Sequence, residues 1–121
     1  MIQFDDLIDE FVEKSKIHVE NVQSLLSGNI DSNTINNCFI AVHSIKGTSG
    51  FFGFEKIMSL ACAMESIFIE IRDNNMSLND SLIKNLLSSN QRLNAMLENV
   101  HESENTDISD LVKDLTNALP K

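Results

Sequence analysis

Ile57-Met58-Ser59-Leu60-Ala61-Cys62-Ala63-Met64-Glu65-Ser66-Ile67-Phe68-Ile69-Glu70-Ile71 decides the fold. Ile57, Leu60, Ala61, Met64, Phe68 and Ile71 recur at spacings of three and four, the period of one helix face and not of a strand. Cys62 and Glu65 share the flank of that helix. Upstream, Ile35, Cys38, Ala41, Val42, Ile45, Ser49 and Phe52 fall on one arc at helical pitch. Before them, Phe4, Leu7, Ile8, Phe11, Val19, Val22, Leu25 and Leu26 form a first stripe, interrupted by Ser15 and His18. Gly28-Asn29 predicts its end, and Asp31 or Ser32 predicts the cap of the next helix. Downstream, Asp73-Asn74-Asn75 and Ser77 to Asp80 read as a polar turn. Leu82, Ile83, Leu86, Leu87, Leu93, Leu97 and Val100 then make a fourth stripe. His101 to Asn105 reads as an acidic connector to a short last helix, which Asp107 can cap and Pro120-Lys121 would end. The pattern predicts helices over roughly 3–27, 32–51, 54–73, 79–101 and 107–119. Short connections between long amphipathic helices imply antiparallel neighbours. The expectation is an all-α, up-down four-helix bundle with an appended fifth C-terminal helix, one domain over residues 1–121.

Composition narrows the function. The chain has 121 residues and a net charge of −9, from 18 acidic against 9 basic side chains. There is no cationic surface to displace the counterions of a nucleic acid, or to seat on an anionic membrane. No apolar run approaches the roughly 20 residues that span a bilayer. Met1-Ile2-Gln3-Phe4-Asp5-Asp6 lacks the basic start of a signal peptide, so the cytoplasm is the expected location. Cys38 and Cys62 lie inside helical patterns and read as reduced, partly buried thiols. No Gly-rich phosphate loop, calcium loop or catalytic-triad pattern occurs, and Cys38, Cys62 and His43 lack the spacing of a zinc site, so no metal is expected.

One segment resists a purely structural account: Ala41-Val42-His43-Ser44-Ile45-Lys46-Gly47-Thr48-Ser49-Gly50-Phe51-Phe52-Gly53-Phe54. Glycine inside a helix costs about 1 kcal/mol relative to alanine, and here two stand at Gly47 and Gly50. His43, Lys46, Gly47 and Gly50 share an arc beside the apolar one. A histidine that accepts a phosphoryl group needs one exposed, unprotonated ring nitrogen, and an acceptor to hold the proton on the other. A carboxylate suits, because positive charge builds on the ring as the bond to phosphorus forms. Glu65 is the candidate, on the flank of the helix expected to pack antiparallel to the His43 helix. Lys46, one turn away, supplies a cation for phosphoryl charge, and the glycines leave room for a bulky partner. His18 and His101 have no such company. The phenylalanines from Phe51 to Phe54 read as core and turn packing.

His43-Ser44-Ile45-Lys46-Gly47-x-x-Gly50-x-x-Gly53-Phe54 resembles the signature of histidine-containing phosphotransfer (HPt) domains, in detail those at the N-terminus of CheA-type chemotaxis kinases. Phe39, four residues before the histidine, and Glu65 on the following helix also match that pattern. The resemblance implies that His43 is the phosphorylation site, that Glu65 holds its second ring nitrogen and that Lys46 stabilises the phosphoryl charge. Gly47 and Gly50 would give partners access. It implies a phosphoryl group taken from ATP through a separate kinase domain and passed to an aspartate of a CheY-like or CheB-like receiver domain, with no cofactor bound to the domain itself. The isolated domain would be monomeric. Two positions depart from the family: Cys62, where a histidine is frequent three residues before the glutamate, and Ile40, where an arginine often follows the Phe. An apolar Ile40 on an exposed arc is either part of a docking surface or incidental. A free-standing or hybrid-kinase phosphotransfer shuttle, or a non-phosphorylated helical scaffold, stands as the alternative function.

Overall fold

The computed structural model describes residues 3–121. Met1 and Ile2, the start of the terminus read above as leader-free, lie outside the described residues. Five α-helices follow in order: α1 (Phe4–Leu26), α2 (Ser32–Phe52), α3 (Glu55–Arg72), α4 (Asp80–Glu98) and α5 (Ser109–Ala118), with a 3-10 helix over Val100–Asn105 between the last two. No strand occurs among the described residues. α2 packs along both α1 and α3, α4 packs along both α1 and α3, and α5 lies against α3 and α4. The result is an antiparallel four-helix ring with a fifth helix laid on its α3–α4 side.

Local chemistry sets each element. Asp31 caps α2 by accepting from the Thr34 N–H at 2.9 Å, and Asn79 caps α4 by accepting from the Leu82 N–H at 2.8 Å. α2 ends at Gly53, whose φ of 81° lies in the left-handed region open to glycine. There Phe54 N–H donates to Ser49 O at 2.9 Å and Gly53 N–H to Gly50 O at 3.2 Å, a Schellman closure. α3 closes the same way with Asn74, at φ 62°, in the left-handed position.

The core is continuous. Val22, Val42, Ile45, Ile57, Leu60, Met64, Phe68, Leu86, Leu93 and Leu115 are fully out of solvent. Ser15, which broke the first stripe, is buried as well. Phe4 and Leu7, expected inside, are exposed in the first turn of α1, where Ile8 and Phe11 take the core-facing places. α4 stops at Glu98 instead of reaching residue 101: Asn99 leaves helical geometry at φ −138° and ψ 59°. The acidic connector after it is ordered as the 3-10 helix, with Ser103 buried and its hydroxyl donating to Val100 O at 2.6 Å. Asp107 does not stand at the cap of α5. It braces the approach to that helix by accepting from Ser109 N–H at 3.0 Å, while Ile108 occupies the cap position.

Candidate functional site

The α2–α3 connection fixes the site. Only Gly53 and Phe54 separate the two helices. His43 lies nine residues before Phe52, and Glu65 lies ten after Glu55, so both stand about 14–15 Å from the turn at 1.5 Å per residue. The hairpin thus brings them level. His43 Nδ1 and Glu65 Oε2 are 2.5 Å apart, and Lys46 Nζ donates to Glu65 Oε1 at 2.7 Å. Both carboxylate oxygens are therefore engaged.

Exposure divides the labour among the three. The His43 side chain is 59% exposed, Lys46 30% and Glu65 only 8%. Sequence reading placed Glu65 on a helix flank; the structure buries it beneath the two side chains that contact it. Burial by itself would raise the Glu65 carboxyl. The hydrogen bonds from Lys46 and His43, with the nearby charges, outweigh it and hold the carboxyl below its ordinary value of 4.5. The hydrogen bond to Glu65 likewise raises the Lys46 ammonium above its ordinary value. An ionised carboxylate only accepts, so Nδ1 of His43 carries the proton and donates it to Glu65. In the neutral ring, Nε2 then holds the free lone pair.

The two glycines differ. A Cβ on Gly47 would meet nothing within 4 Å, whereas one on Gly50 would lie 3.0 Å from Met58 Sδ. Gly47 therefore leaves open surface beside His43, and Gly50 makes room for Met58 of α3. Between them lies a shallow depression of about 450 Å³, lined by Lys46, Gly47, Gly50, Met58, Ser59 and Cys62. Cys62 is exposed at its rim and not partly buried as expected, because it projects from the flank of α3 and not from its apolar face. Cys38 is buried and its thiol is pushed up to about 12 by desolvation. Ile40 is exposed one turn before His43. The phenylalanines divide: Phe54 stacks on Phe11 with centroids 5.8 Å apart, but Phe51 is 77% exposed and packs no core. His18 and His101 have no carboxylate partner among the described residues.

One neighbour escaped the sequence reading. Arg72, the last residue of α3, lies with its guanidinium carbon 4.6 Å from the centroid of the Phe39 ring. Nothing in the one-dimensional pattern pairs residues 39 and 72; the register of the hairpin does.

A buried, ionised carboxylate that fixes the tautomer of an exposed imidazole on a four-helix bundle defines a histidine phosphotransfer module. The family model of the Hpt domain matches residues 6–103, and the chain belongs to that family. Over 116 residues it is 25% identical to the chemotaxis protein CheA of Listeria monocytogenes, which covers 91% of this chain and 19% of that protein. It is 31% identical to the CheA of Salmonella typhimurium over 104 residues, 86% of this chain and 15% of that protein. It is 30% identical to the CheA of Borreliella burgdorferi over 100 residues, 79% of this chain and 12% of that protein. The chain thus spans less than a fifth of the length of these relatives. Among solved structures it shares the fold of the phosphorylated P1 domain of CheA3, determined in complex with CheY6 from R. sphaeroides. The TM-score is 0.83 at 20% identity, over 94% of this chain and 95% of that one. No helix among the described residues is long and apolar enough to cross a membrane.

Proposed function

We propose that this domain is the phosphoryl carrier of a CheA-type chemotaxis relay. His43 Nε2 attacks the γ-phosphorus of ATP held by a separate kinase domain. The P–N bond forms as the P–O bond to the departing ADP breaks. The ring keeps its Nδ1 proton, becomes cationic, and is stabilised by Glu65 across the 2.5 Å hydrogen bond. In the second step an aspartate oxygen of a receiver domain attacks phosphorus, the P–N bond breaks, and the electron pair returns to Nε2. Lys46 spends one N–H on Glu65 and has two left for phosphoryl oxygens. Gly47 leaves the approach to Nε2 clear for the partner's surface. The domain binds no cofactor of its own in this scheme, and CheY-like and CheB-like receivers are the expected acceptors.

The His43–Glu65 contact carries this reading. It makes one nitrogen a proton-bearing anchor and leaves the other as a nucleophile on an open surface. With the cognate kinase domain and ATP, the chain becomes labelled as an acid-labile, base-stable phosphoprotein, and the label chases onto an added receiver. Full labelling of His43→Gln would overturn the assignment.

A further inference from the structure

The hydrogen bond to Glu65 fixes one edge of the His43 ring, but a single hydrogen bond leaves a ring free to rock about it. With 59% of its side chain exposed, His43 has little packing to stop that motion. The structure supplies one flat surface. Phe39, one turn earlier on α2, stacks on the imidazole with centroids 5.5 Å apart and planes at 21°. Phe39 is itself held from α3, where the Arg72 guanidinium lies 4.6 Å from its ring centroid. Guanidinium, benzene ring and imidazole are thus in successive contact from the end of α3 to the nucleophile.

Resting on the reading of His43 as the phosphoryl acceptor, we propose that Phe39, clamped by Arg72, is a positioning residue that sets the plane of the His43 ring and so aims the Nε2 lone pair. Each planar group matters for its shape. A leucine at 39 fills similar volume but offers no face to the imidazole. A lysine at 72 keeps the charge but not the plane that lies over the ring. Glu65 decides which nitrogen is free; the stack decides where that nitrogen points. In-line attack depends on both, since a displacement of about 1 Å at the reacting atom can cost on the order of 100-fold in rate.

The test compares Phe39→Leu, Phe39→Tyr and Arg72→Ala with the unaltered chain, using two phosphoryl donors. Phosphoramidate needs no docking: its P–N bond breaks, ammonia leaves with the electron pair, and Nε2 forms the new bond to phosphorus. The kinase domain with ATP reports docking and chemistry together. Phe39→Leu is expected to lose about ten-fold in rate toward phosphoramidate and in kcat with the kinase, with KM for the kinase unchanged. Phe39→Tyr restores the rate, and Arg72→Ala loses about three-fold. The His43 ring-proton resonances lose their aromatic ring-current shift in Phe39→Leu and keep it in Phe39→Tyr. Unchanged rates and resonances in Phe39→Leu overturn the proposal, as does a rise in KM at constant kcat, which makes Phe39 a docking contact instead. If the kinase fails to label the unaltered chain while Phe39→Leu still slows toward phosphoramidate, the positioning role stands and the relay reading falls.

Discussion

At the scale of single residues, Glu65 links stability to chemistry. Its carboxyl is lowered on folding, so the folded chain binds fewer protons than the unfolded one near that pH. The resulting stabilisation is present above the ordinary value of 4.5 and disappears as pH falls through the folded value. Glu65→Gln, which does not titrate, is expected to flatten the acid limb of stability measured by urea denaturation between pH 6 and pH 3. The same variant slows phosphorylation by about 10- to 100-fold, because the acceptor that holds the Nδ1 proton is weakened. Labelling kinetics at saturating kinase domain read this loss, and unaltered kinetics would show that the ring needs no carboxylate. The cysteines give a second contrast. Cys62 is exposed while Cys38 is buried with its thiol near 12. A thiol reagent at neutral pH should titrate one group per folded chain and two in denaturant. Both cysteines reacting together in the folded chain would contradict the burial of Cys38.

At the scale of elements, α2 carries opposing demands. Gly47 weakens the helix yet meets no neighbour, so Gly47→Ala should stabilise the domain by up to about 1 kcal/mol in thermal or urea unfolding. Gly47→Leu should retain most of that stability and, if the proposed relay holds, lower transfer to a receiver, because its side chain would fill the open surface beside His43. Gly53→Ala has the opposite sign: its φ of 81° strains any residue with a Cβ, and about 1 kcal/mol is lost. The amphipathic stripes and the cap at Asp31 were legible in the sequence, because spacing and side-chain chemistry act within a few residues; the cap at Asn79 lay inside a stretch that reads only as a polar turn. The exposure of Phe4, Leu7 and Phe51 was not, since a stripe shows which face is apolar but not where the neighbouring helix stops. The 3-10 helix was hidden for a related reason: after Val100 its residues are polar, and Ser103 is buried through tertiary contact and not through its own pattern.

At the scale of the whole molecule, α4 carries two buried polar side chains that are not fully partnered. Asn90 Nδ2 donates to Val19 O at 2.9 Å, but Asn90 Oδ1 and the neighbouring Ser89 hydroxyl are buried without a partner. Such groups lose their hydration with no return, so Ser89→Ala should raise stability by about 1 kcal/mol while leaving phosphotransfer unchanged. A fall in the denaturation midpoint would reveal a hydrogen bond that the static structure lacks. The fifth helix is anchored by Leu115, which is fully buried, and Leu115→Ala should cost about 2–5 kcal/mol. How the helices face one another was only partly legible. Short connections gave antiparallel neighbours, and the motif named His43, Lys46 and Glu65. The cover that His43 and Lys46 form over Glu65, and the Arg72–Phe39 contact, depend on rotations that no single strand of text records.

The two-residue joint at Gly53 and Phe54 acts as a ruler. One residue added at this joint and taken up by α3 would advance every later position of that helix by about 100° around its axis and 1.5 Å along it. The apolar stripe of α3 would have to slide to recover its burial, and Glu65 would then face away from the imidazole. The shortness of this corner, two residues, thus holds α2 and α3 in the register that sets Glu65 against the imidazole.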